Sequence, residues 1–145
     1  MSQPSPPLPA KLVIGAFLGD RGLLTRVMGR LVEQFGAIDL VSPWLAFDFT
    51  KYYEPEMGPG LSRRMTAFKP LIRQNDLAEI KHATNAIEKE MAVDGRRQVN
   101  IDPGYLLRER FVLATGKNFT HRIYIGRQIY ADLTLIYRKG VFESL

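Results

Sequence analysis

At 145 residues the chain is long enough to bury one hydrophobic core without covalent staples. It has no cysteine, which excludes disulfides, thiolate zinc sites and cysteine nucleophiles. Its formal charge of +5 is carried entirely by the last third: residues 1–95 hold 11 Lys/Arg against 11 Asp/Glu, and residues 96–145 hold 9 against 4. No apolar run approaches the roughly 20 residues a membrane helix needs, and MSQPSPPLPA has neither a basic n-region nor an apolar h-region. Residues 1–10 therefore read as a flexible proline-rich arm, and 11–145 as a single α+β domain of a cytoplasmic protein.

In chain order, KLVIGAFLGD begins as an apolar run and ends in turn residues, which predicts a strand over 11–18. Asp20 is placed to cap a helix in which Leu23, Leu24, Val27, Met28, Leu31, Val32 and Phe35 recur at three-to-four spacing, with Gly36 as its stop. IDLVSPWLAFDF, 38–49, reads as a strand interrupted at Pro43, which cannot donate to a ladder. KYYEPEMGPG follows as a loop, and SRRMTAFK, 62–69, as a third strand. Asn75 is expected to cap a second helix with the stripe Leu77, Ile80, Thr84, Ile87 and Met91, leaving His82 to water. RRQVNI, 96–101, reads as a fourth strand ended by a DPG turn at 102–104. Residues 105–115 fit helix or strand, and a hairpin, 118–125 with 129–137, closes the chain. This order predicts a ferredoxin-like βαββαβ antiparallel sheet with two helices on one face, extended by the C-terminal hairpin.

Two hairpin registers decide what His121 is. A two-residue Gly126-Arg127 turn sets His121 opposite Asp132, a dyad suited to acid-base chemistry. A three-residue loop, Gly126–Gln128, sets Arg122 opposite Asp132 instead. The second separates an apolar face, including His121, Ile123, Ile129, Ala131 and Leu133, from a polar face of Arg122, Tyr124, Tyr130, Asp132 and Thr134. Pattern favours the three-residue loop, with His121 as a core-facing imidazole opposite Leu133.

Three clusters carry candidate chemistry. FDFTKYYEPEMG gathers Asp48, Tyr52, Tyr53, Glu54 and Glu56, types that serve as general acids, hard-metal ligands or sugar and base contacts. NIDPGY places Asn100 and Asp102 on one side of a strand. Arg108, Arg110, Lys117, Arg122 and Arg127 form the basic C-terminal segment, an electrostatic footprint for phosphate, with Asn118 beside Lys117 as a further polar ligand contact. P-loop, GxGxxG, HExxH and GxSxG motifs are all absent, so no motif identifies a cofactor.

KLVIGAF, FDFTKYYEPEMG, NIDPGYL, LATGKNFTHRIYIG and IYADLTLIY, in that order over about residues 11–139, resemble the prokaryotic family called domain of unknown function 4416. The resemblance implies neither an activity nor any catalytic residue. The residues themselves lead to three expectations. The first is a small domain binding an anionic ligand, a nucleotide or RNA phosphate. The second is a metal-assisted hydrolase or phosphoryl-handling enzyme using Asp48, Asp102 and His121. The third is an interaction domain forming a homodimer through sheet edges.

Overall fold

The computed structural model describes all residues 1–145. The apolar run at the start forms β1 (Ala10–Leu18) at the centre of an open sheet, where Leu12, Ile14, Ala16 and Leu18 are buried. Asp20 accepts from the Gly22 amide (2.9 Å), capping a short 3-10 turn that leads into α1 (Leu24–Phe35). Gly36 ends α1 at φ 92°, a left-handed conformation that glycine adopts without strain.

Pro43 divides the next segment into β2 (Ile38–Val41) and β3 (Leu45–Ala46), both paired to the same edge of β4 (Ser62–Ile72). The expected loop between them contains one helical turn, α2 (Glu54–Met57), opened by Pro55. Asn75 is not a side-chain cap: it lies inside a 3-10 turn, and the Asp76 carboxylate accepts from the Arg73 amide at the start of α3 (Leu77–Met91). Nor does His82 simply face water, since its Nε2 donates to the Arg127 carbonyl at 2.7 Å.

DPG is not a turn. β5 (Val99–Leu106) runs straight through it, and the ambiguous segment becomes the end of β5 and all of β6 (Arg110–Thr115). The chain closes with β7 (Arg122–Tyr124), β8 (Tyr130–Arg138) and β9 (Val141–Ser144). The fold is α+β, with three helices and a nine-stranded antiparallel sheet ordered β2-β4-β1-β5-β6-β8-β7; β3 joins β4 and β9 joins β8. No helix is long and apolar enough to cross a membrane.

The main core lies between the sheet and the two long helices, where Leu24, Val27 and Leu31 of α1 and Ile80, Ile87 and Met91 of α3 meet Ile14, Phe68, Val99 and Ile101. A second cluster packs Leu77 and Ala78 against Val112, Ala114 and Ile129. Arg122 pairs with Asp132 and Tyr124 with Tyr130, the register of the three-residue loop. The expected burial of that apolar face fails at its outer strand, because β7 is an edge that α3 does not reach: Phe119 and Ile123 are exposed, and His121 sits in an exposed turn before β7.

One position governs how β5 meets β6. A Cβ on Gly104 would lie 2.5 Å from the Val112 carbonyl oxygen and 2.9 Å from a Leu113 methyl, so only glycine lets the two backbones approach there. Gly104→Ala is expected to lower unfolding stability by about 1–3 kcal/mol through overpacking, read as a lower urea midpoint with unchanged slope. An unchanged midpoint would show that β6 moves aside freely.

Candidate functional site

β5 pairs with β6 only over Gly104–Leu106, and residues 99–103 face a gap. Pro103 has no amide hydrogen, and the ladder to β6 begins at the residue after it. On the open stretch the backbone of Ile101, fully buried, still needs partners. They come from α3: Glu88 accepts from the Ile101 amide (2.6 Å), and Lys81 Nζ donates to the Ile101 carbonyl (3.2 Å). Two charged side chains one heptad apart on the buried helix face thus stand in for a strand.

The gap is a cleft of about 500 Å³. Its walls come from α3 (Lys81, Asn85), β5 and the segment before it (Arg97, Asn100, Asp102), the end of β6 through Lys117, and the hairpin (Arg122, Asp132), with Tyr53 at one side. Four cations, Lys81, Arg97, Lys117 and Arg122, meet two carboxylates, Asp102 and Asp132.

Each cation is held differently. Lys81 is only 8% exposed, and of its three donors one is committed at hydrogen-bond distance; Asp102 Oδ1 stands 3.8 Å away. Arg97 is bonded through all three nitrogens, with Nη2 donating to Glu56 at 2.8 Å, Nε to the same carboxylate and Nη1 to Asn100 Oδ1 at 2.8 Å. Asn100 in turn donates to Asp102 Oδ2 at 2.8 Å. The bonds from Arg97 hold the Glu56 carboxyl below its ordinary value. Arg122 Nε donates to Asp132 Oδ2 (2.8 Å), and its Nη1 donates to the Lys117 carbonyl (3.0 Å). Lys117 is the loosest: its ammonium makes no ion pair and lies 5.0 Å from the Tyr52 ring centre.

The cleft gathers five of the expected residues: Tyr53, Asn100, Asp102, Lys117 and Arg122. Glu56 reaches it through Arg97, and Tyr52 stands beside Lys117. His121 touches it only through Asp132, at 3.5 Å. Asp48 and Asn118 are exposed and line no part of it. Arg127 faces Glu79 at 3.9 Å from the hairpin loop. Arg110 opens β6 and Arg108 precedes it, about 20 Å along the strand from Lys117. The basic segment is therefore not one surface, and Asp48, Asp102 and His121 do not converge. No three His, Asp or Glu side chains stand close enough to hold a metal ion.

Lys81, Arg97, Glu88 and Asn85 were missed by sequence reasoning. A signal existed for two of them: Lys81 and Glu88 fall in register with Leu77, Thr84 and Met91 at i+4, i+7, i+11 and i+14, charges inside an otherwise buried stripe.

Fold and site together define an α+β protein built on an open antiparallel sheet, split to form a polar, cation-lined cleft. By family the assignment is direct: the model of Domain of unknown function (DUF4416) matches residues 8–145, and the chain belongs to that family. No curated protein and no solved structure matches it.

Burial pushes the Glu88 carboxyl above its usual 4.5, outweighing the Ile101 amide, Lys81 and Arg97, while Asp102 adds to the rise. Below pH 4.5 both folded and unfolded chains hold this proton; above it the unfolded chain releases the proton first, so ionisation of Glu88 costs stability as pH rises towards and through its folded value. Glu88→Gln keeps an acceptor for Ile101 and removes the titration. The wild-type melting temperature is expected to fall relative to Glu88→Gln as pH is raised from 4.5, and parallel curves would overturn this account.

Proposed function

We propose that the cleft between β5 and β6 binds a small phosphate-bearing anion. The observation that carries this reading is Lys81, a buried ammonium opening on a cleft with donors uncommitted, beside the unpaired ammonium of Lys117. A buried cation is costly unless something anionic meets it; Asp102 at 3.8 Å and Glu88, whose own burial favours its neutral form, meet it only in part. Arg97 and Arg122, fixed by Glu56 and Asp132, act as positioned walls, whereas Lys117 is free to close on a ligand. The size of the cleft favours a small molecule over an RNA strand.

As a scaffold, the stretch from β1 through α1, β2, β4 and α3 to β5 supports a ferredoxin-like reading. Its strands stand in the order β2-β4-β1-β5, and α1 and α3 pack into one core on the sheet. Such a scaffold holds Lys81 rigidly because α3 is anchored at both ends, by Leu77 and by Met91.

The test is titration calorimetry with inorganic phosphate and pyrophosphate at low salt. Lys117→Ala, on an exposed loop, is expected to weaken pyrophosphate about tenfold, the loss of one charge-assisted contact, and Lys81→Met to weaken it at least as much. Affinity should fall as salt is added. Binding that is indifferent to both substitutions would sink the proposal.

A further inference from the structure

Asp102 and Leu113, which line the cleft, also border a second cavity of about 260 Å³. This second space is a cradle on the sheet face turned away from the helices. Asp102 alternates with the core residues Val99 and Ile101 along β5, and Gly15 stands opposite it in register, with Met65 on Gly15's other side. Gly15 has no side chain to fill the cradle, and a Cβ there would lie 2.8 Å from Met65 Sδ. Met65, Phe111, Leu113 and Leu135 make its surface apolar.

Its far wall is Arg63. The Nε–H of Arg63 is buried with no hydrogen-bond partner, while the guanidinium lies 6.0 Å from the Phe47 ring centre and 5.8 Å from that of Phe49. That nitrogen is closed off by its neighbours, but Arg63 lines the cavity and its guanidinium makes no hydrogen bond within the chain. Asp102, at the junction, receives one hydrogen bond from Asn100, and an ionised carboxylate has about four acceptor sites, so it has capacity for hydroxyl donors.

Resting on the anion-binding reading above, we infer that the two cavities join beside Asp102 and together hold a ribonucleoside monophosphate. The phosphate lies between Lys81, Lys117 and Arg122. The ribose hydroxyls donate to Asp102 at the junction, and the flat apolar base lies over Met65, Phe111 and Leu135 with an acceptor on its edge towards the Arg63 guanidinium. The run of chemistry through the two cavities, cations, then a carboxylate, then an apolar cradle, then a guanidinium, matches phosphate, diol, ring face and ring edge in that order. Together the volumes fall in the roughly 300–1,000 Å³ range of small-molecule sites.

The experiment is calorimetry on the full chain with inorganic phosphate, with the four common ribonucleoside 5′-monophosphates and with their 2′-deoxy counterparts. At least one ribonucleotide is expected to bind about tenfold or more tighter than phosphate, with its 2′-deoxy form several-fold weaker. Arg63→Met should erase the advantage of the nucleotide and leave phosphate affinity unchanged. The comparison with the deoxynucleotide uses only the wild-type chain and so stands whether or not the variant folds. Ribonucleotides that bind no tighter than phosphate, or deoxynucleotides that bind equally well, would overturn this inference while leaving the anion site intact. Absence of binding by phosphate and nucleotides alike would remove both.

Discussion

The structure turns on the backbone of Ile101. Its amide and carbonyl lie in the interior where β6 has turned away, and leaving both unpaired would cost about 1–3 kcal/mol each. Glu88 and Lys81 supply the missing bonds, which places two ionisable groups at 7% and 8% exposure on the inner face of α3. A residue as costly to bury as lysine would not otherwise sit in register with Leu77 and Thr84. Once it does, the sheet can stay open between β5 and β6, and the opening has a charged wall.

Two backbone features on β5 set where that opening starts. Pro103 offers no donor to the next strand, and Gly104 lets the next strand approach closely, so pairing switches on across a single peptide. From there β6 continues towards Lys117 while Asn100 and Asp102 remain uncovered. The hairpin then closes the far side with the Arg122–Asp132 pair, half-buried and therefore better shielded from solvent than a surface ion pair. The positive charge of the C-terminal third is thus divided. Lys117 and Arg122 join Lys81 and Arg97 around a cavity, while Arg108, Arg110 and Arg127 lie elsewhere on the surface.

Much of the fold was legible from pattern. The period of α1, the break at Pro43, the strand over 62–69 and the hairpin register all follow from side-chain alternation and turn chemistry, which are local constraints. The failures came where a neighbour outvoted the local signal. DPG has the residues of a turn, but β1 pairs with β5 from Val99 through Leu106 and holds it extended. His121 belongs by alternation to an apolar face, but the outer strand of the hairpin has nothing packed over that face. Sequence spacing shows which residues share a side; it does not show whether that side is covered.

From its sequence alone this protein was determined to be a cysteine-free α+β chain of a recognisable family, with a basic last third and with Asn100, Asp102, Lys117 and Arg122 among its chemistry-bearing residues. Only the tertiary structure decided that these four share a cleft with Lys81 and Arg97, and that Asp48, Asp102 and His121 do not meet. The reason is that periodicity acts over a few residues of one segment. The cleft is instead made by a helix, two strands and a hairpin brought together around one strand edge, and no single stretch of chain records that meeting.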